Sequence, residues 1–203
     1  MAALVAFLGN RFLGLTTALW VPFAAAPVDL GVFYYILVFF VFVGTTNAVN
    51  LTDGLDGLAT GTVAVAMGTY ALVCLSLGKA ALAAFCAATA AAAVAFLRFN
   101  AHPARIFMGD TGSLALGGAL AAVAVLTKTE LLLIFIGGVF VAEALSVIIQ
   151  VVSFQTTGRR VFRMSPLHHH FEMGGWPETK VVYVFWLAGA MCSLLALWIG
   201  KVG

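Results

Sequence analysis

"VFYYILVFFVFVG", residues 32–44, leads into "NAVNLTDGLDGLATG", residues 47–61. The first stretch is an unbroken apolar run, and the second sets two Asn, two Asp and three Gly where that run ends. A helix needs roughly 20 mostly apolar residues to cross the hydrocarbon of a bilayer, so the run reads as a membrane span with a polar mouth. Thr52 or Asp53 capping the next helix accounts for one carboxylate. It leaves the second Asp and both Asn unexplained at an interface where polar groups are costly and usually functional.

The rest of the chain has the same character. Of 203 residues, 63% are hydrophobic and 9% charged, and the mean hydropathy is +1.10, which excludes an ordinary soluble domain. Apolar runs at 2–21, 32–47, 60–77, 80–97, 112–127, 131–152 and 180–199 predict an all-α bundle of about seven transmembrane helices. The first run is interrupted by Asn10 and Arg11. No period-two alternation supports a β-barrel. One membrane domain, 1–203, is expected. Gly117-Gly118 and Gly137-Gly138 fall inside runs, where small residues let helices approach closely. Cys74, Cys86 and Cys192 have no paired spacing and read as buried thiols.

With alternating spans, the connections near 48–59, 98–111 and 153–179 share one side. That side holds Arg98, Arg105, Arg159, Arg160, Arg163 and Lys180, against Lys79 and Lys128 opposite, which makes it cytoplasmic by the positive-inside rule. The N-terminus lacks the basic start and cleavage pattern of a removable signal peptide.

The chemistry collects in those three connections. In the first, Asn47, Asn50, Asp53 and Asp56 recur every third residue, so neighbouring pairs share a helix face. In the second, "RFNAHPARIFMGDTGS" (98–113), Pro103 ends one helix pattern and Gly109–Ser113 opens another. A glycine-flanked helix start suits a phosphate. Asp110 there is either a cap or, with Mg2+ between carboxylate and phosphate, a metal ligand. The third, "SFQTTGRRVFRMSPLHHHFEMGGWPETK" (153–180), holds three consecutive His. Consecutive side chains cannot all converge on one ion from a helix or strand, which argues against a three-His zinc site. One or two of them suit a phosphate or a proton transfer near neutral pH. Arg159, Arg160 and Arg163 read first as headgroup anchors. Glu143 and Gln150 are seven apart on one face of a span: Glu143 reads as a buried, satisfied group, and Gln150 is close enough to the loops to reach their cavity.

Together "NAVNLTDGLDGLA", "FNAHPARIFMGDTGS" and "SPLHHHFEMGGWPETKVV" closely resemble the phospho-N-acetylmuramoyl-pentapeptide transferase family of the polyprenyl-phosphate N-acetylhexosamine-1-phosphate transferases. The resemblance covers the chain from about Leu30 onward, with "PLHHHFE" pointing to the muramoyl-pentapeptide branch. It implies a Mg2+-dependent transfer of phospho-N-acetylmuramoyl-pentapeptide from UDP-N-acetylmuramoyl-pentapeptide to undecaprenyl phosphate, with release of UMP, at the cytoplasmic face of a bacterial plasma membrane. It also implies the site. Asp110 looks like the Mg2+ ligand, with Asp53 beside it in the catalytic cleft and Asn47 and Asn50 on the substrate side. Asp56, Gly54, Leu55, Asn100 and Phe107 resemble a uridine-binding wall, in which Phe107 stacks on the base and Asp56 accepts from its N–H. His169, with His168 and His170, looks like the histidine group that meets the substrate, and Gln150 lines the same cleft. The bilayer is a further partner, a homo-oligomer is left open, and nucleic acid is not implied.

The chain departs from the family pattern in two places. The family carries an adjacent aspartate pair in an early loop, and no two Asp are adjacent in this sequence. With fewer runs than the family, the chain resembles its C-terminal two thirds. Val184 also stands where a basic residue is usual. A related UDP-sugar transferase and a nucleotide-binding fragment without turnover remain as alternatives. An alternating-access transporter is disfavoured by the lack of an internal repeat and the gathering of polar residues at one interface.

Overall fold

The computed structural model describes residues 14, 16–24 and 26–202. A short antiparallel ladder pairs β1 (Ala18–Leu19) with β2 (Val28–Asp29), Ala18 opposite Asp29 and Leu19 opposite Val28. Eight helices follow among the described residues: α1 (Phe33–Thr52), α2 (Leu58–Ser76), α3 (Ala80–Asn100), α4 (Gly109–Thr127), α5 (Glu130–Ile136), α6 (Gly138–Thr157), α7 (Leu167–Glu172) and α8 (Glu178–Val202). Six of them, α1, α2, α3, α4, α6 and α8, are long and apolar enough to cross a membrane. The protein is an all-α, multi-pass helical bundle.

Two expected spans differ from what is observed. The run 2–21 lies largely outside the described residues, so six spans stand where about seven were expected. Its described end is extended: Thr17 Oγ1 donates to Asp29 Oδ1 at 2.5 Å and Lys128 Nζ donates to the Thr16 carbonyl at 2.7 Å. The β-branched Thr16 and Thr17, and Pro22 just beyond, favour that extended path over a helix. The run 131–152 is two helices, broken at Gly137, because a glycine pair is a poor helix interior.

The centre of the bundle is α2, whose spanning window is 72% buried against 17% for α3. It packs on α3 and α8, while α1 packs on α4 and α6. Val63, Met67, Tyr70 and Cys74 of α2 share one apolar core with Leu120, Phe140 and Ile199. Cys74 and Cys86 are buried in that core, as expected of structural thiols, and Cys192 is half-buried. At Gly117 a Cβ would stand 2.6 Å from the Thr46 Cα. The backbones of α1 and α4 therefore touch there, which brings the two helix ends that carry Asn50 and Asp110 side by side.

At the opposite end, Lys128 sits over the Tyr34 ring, 3.5 Å from its centroid, and the Tyr34 hydroxyl donates to the buried Glu130. The connections at 53–57, 101–108 and 158–177 lie together at the far end from this cluster, as the alternation of spans requires.

Candidate active site

The first connection turns immediately after α1, where the Asp53 N–H donates to the Asn50 carbonyl at 3.1 Å. Asn50 Nδ2 then reaches across to α4, donating to Asp110 Oδ1 at 3.0 Å and to Ser113 Oγ at 2.9 Å. Asp110 lies in the first turn of α4, where the unpaired N–H groups and the positive end of the helix dipole favour an anion. Burial pushes the Asp53 carboxyl up to about 6, the neighbouring Asp110 charge pushes the same way, and the Gly109 N–H only partly offsets them. Among the described residues neither carboxylate has an ion-pair partner. Two oxygen donors held close without a counter-charge are a donor set that suits Mg2+, which takes one or two carboxylates and completes its shell with water and phosphate.

Asp56 is fixed on several sides. Its N–H donates to Glu178 Oε1 at 2.7 Å, and its Oδ2 accepts from the Ala104 N–H at 2.9 Å. Asn100 is buried; it accepts from Thr60 Oγ1 at 2.5 Å and donates to the Ile106 carbonyl at 3.1 Å. Its amide therefore holds the loop that displays Phe107, whose ring is 75% exposed and presents an open aromatic face. Leu55 is buried against Leu58, Val181 and Phe185. Asn47 turns back to the Val43 carbonyl at 2.8 Å, exposed on α1.

The three histidines bond to three different partners, although the His168 and His169 rings lie against each other with centroids 4.2 Å apart. His168 is buried, with Nδ1 3.0 Å from Glu143 Oε1. His169 Nδ1 lies 2.6 Å from Glu172 Oε2. His170 Nδ1 accepts from the Arg163 N–H at 3.1 Å. Glu143 is thus the buried, satisfied group the sequence suggested. Its second oxygen accepts from the Leu167 N–H at 2.7 Å. The remaining His168 nitrogen, Nε2, is buried with no partner and faces Gly54, where a Cβ would stand 2.3 Å away. Gln150 pins the third connection by accepting from the Val161 and Phe162 N–H groups at 3.0 and 2.9 Å.

The structure thus gathers Asn50, Asp53, Asp110, Gly54 and His168 in one place, and Asp56, Asn100 and Phe107 along the adjoining wall. Three partners are not legible in the sequence: Glu178, His102 and the Trp186 indole, which donates to the Gly57 carbonyl at 3.2 Å. Glu178 and His102 stand in quoted motifs, but their pairing with Asp56 spans most of the chain.

The sequence of this multi-pass bundle has relatives among known proteins. The chain belongs to glycosyl transferase family 4, whose model matches residues 1–128. More particularly, it is similar to the phospho-N-acetylmuramoyl-pentapeptide-transferase of Geobacillus kaustophilus (strain HTA426), 58% identical over 199 residues, covering 98% of this chain and 61% of that protein. The protein of the same name from Desulfitobacterium hafniense (strain DSM 10664 / DCB-2) is 57% identical over 208 residues, 97% of this chain and 62% of that one. The family resemblance carried by the three motifs is borne out. The chain spans about three fifths of the length of these curated relatives.

Proposed function

We propose that the protein transfers phospho-N-acetylmuramoyl-pentapeptide from its UDP conjugate to undecaprenyl phosphate, releasing UMP, with Mg2+ as cofactor. The observation that carries this reading is the uncompensated Asp53–Asp110 pair at the mouth of a membrane bundle. A lipid phosphate and a nucleotide diphosphate repel each other; Asp110 and Asp53 would hold Mg2+, whose chemistry there would be to neutralise that charge.

The protein's own groups supply position. Asn50 orients Asp110, and the α4 N-terminus offers N–H groups to a phosphate. Phe107 offers a face to the uracil base and Asp56 an acceptor for its N–H. Between α1, α5 and α6 runs an apolar cavity of ≈ 250 Å3, lined by Leu37, Phe40, Val41, Ile134, Phe140 and Leu145, a surface suited to a polyprenyl chain. In the transfer, an oxygen of the lipid phosphate bonds to the sugar-bearing phosphorus while the bond from that phosphorus to the UMP oxygen breaks. The excess of Arg at this end favours the cytoplasmic face of a bacterial plasma membrane.

Binding of the nucleotide without turnover is a second reading, favoured by the fixed Asp56 and the exposed Phe107, which offer base contacts that do not involve the Asp53–Asp110 pair. UMP release in detergent, with Mg2+ and both substrates, separates the two. Release by the parent and none by Asp110→Asn supports the transferase. Nucleotide binding without release supports the second reading, and release unaltered by Asp110→Asn overturns the metal assignment.

A further inference from the structure

Asp56, His102 and Glu178 come from three separate segments: the α1–α2 connection, the α3–α4 connection and the first residue of α8. Their ligand atoms all lie within 4.8 Å of one another. His102 Nδ1 is 3.3 Å from Asp56 Oδ2 and 3.3 Å from Glu178 Oε2. A charge-assisted N–H···O bond runs about 2.7–2.9 Å, so the ring nitrogen sits between two carboxylates without a close bond to either. Three donors each about 2.0–2.1 Å from a tetrahedral ion stand roughly 3.3 Å apart. The two edges that meet at His102 Nδ1 match that spacing.

Three further observations point the same way. No Lys or Arg among the described residues pairs with Asp56 or Glu178. The bond from the Asp56 N–H to Glu178 Oε1 fixes the two acidic residues relative to each other before any ion arrives. A cavity of ≈ 40 Å3, lined by Asp56, His102, Thr179 and Tyr183, opens on two of the three ligands, Asp56 and His102. That is room for at least one water, which a three-ligand site needs in its open position.

We infer that Asp56, His102 and Glu178 form a binding site for a divalent transition cation of the Zn2+ class, distinct from the Asp53–Asp110 pair. Imidazole suits such ions, whereas Mg2+ takes oxygen donors. The ion would fasten together the three segments that frame the Asp56 wall. The inference does not rest on the transferase reading.

Calorimetric titration of the full chain in detergent with Zn2+ alone, in excess Mg2+ and without nucleotide, tests it. One Zn2+ per chain is expected, with a melting temperature that rises with Zn2+. His102→Ala and Glu178→Gln should each weaken binding at least about tenfold, and both should also abolish the visible bands of tetrahedral Co2+ used in place of Zn2+. Melting without metal checks that each variant is folded. Absence of stoichiometric binding by the parent overturns the site. So does binding that survives both variants, or binding lost only when His169 and His170 are replaced by Ala. UMP release is not read in this titration, so the two proposals fail separately.

Discussion

The buried His168 ring is held between Glu143 and Gly54: Nδ1 lies 3.0 Å from Glu143 Oε1, while Nε2 has no partner and faces the Gly54 backbone. The second Glu143 oxygen accepts from the Leu167 N–H at 2.7 Å, and the far edge of the ring is turned toward the connection between α1 and α2. A span, a short helix and that loop are thereby fixed to one another through a single imidazole.

Replacing Glu143 with Gln should cost about 1–3 kcal/mol. The parent side chain accepts from the Leu167 N–H and pairs with His168 Nδ1, whereas an amide has one accepting oxygen, so its NH2 either meets a donor or obliges the ring to carry its proton on Nε2, which is buried without a partner. Thermal unfolding in detergent reads this directly, and an unchanged melting temperature would show that the dyad is not structural.

Gly54→Ala should destabilise for a different reason, since its Cβ would stand 2.3 Å from His168 Nε2. Either the ring leaves Glu143 or the loop shifts, at a cost of about 1–3 kcal/mol. Combined with Glu143→Gln the effects should be markedly non-additive; simple addition in a double-mutant cycle would mean that the two positions do not act through the same ring.

Asp53 gives the bundle a pH dependence of defined sign. Its folded-state value, raised from 3.8 to about 6, means that the folded protein holds a proton which the unfolded chain has already lost between those values. This contribution to stability is fully present below 3.8 and is lost as pH rises through about 6. Without divalent ions, Asp53→Asn should therefore melt higher than the parent at pH 7, the difference closing as pH falls. Added Mg2+ should raise the parent alone. A difference independent of pH would contradict the burial argument.

Phe107→Ala should leave the melting temperature unchanged, because the ring is 75% exposed. Uridine nucleotide affinity should drop by about 1–1.5 kcal/mol, roughly tenfold. Equal affinity in parent and variant would remove base stacking from the proposed site.

What the sequence reveals follows the range of the interactions concerned. Spans α1 to α4, α6 and α8 are legible because apolar length is a local property, and the three connections because polar residues stand out against it. The extended pairing at Ala18–Leu19 is hidden because its partner is a separate strand and its residues are as apolar as a span. The break at Gly137 is hidden because a glycine pair reads equally well as close packing. At the site, Asp53 and Asp110 are visible from their motifs, as is the failure of the three histidines to share one partner. The partners His168–Glu143 and Asp56–Glu178 are not, since each joins residues on different elements.

The bond from the Asp56 N–H to Glu178 has a bearing on biosynthesis. It ties the connection between α1 and α2 to the opening turn of α8, 122 residues later. A nascent chain with its earlier spans already inserted has the Ala104 N–H to hold the Asp56 carboxylate but still lacks the Glu178 acceptor for its N–H, and it gains His168 behind Gly54 only shortly before. The mouth of the bundle thus takes its final form only once α8 has been inserted and packs against α2.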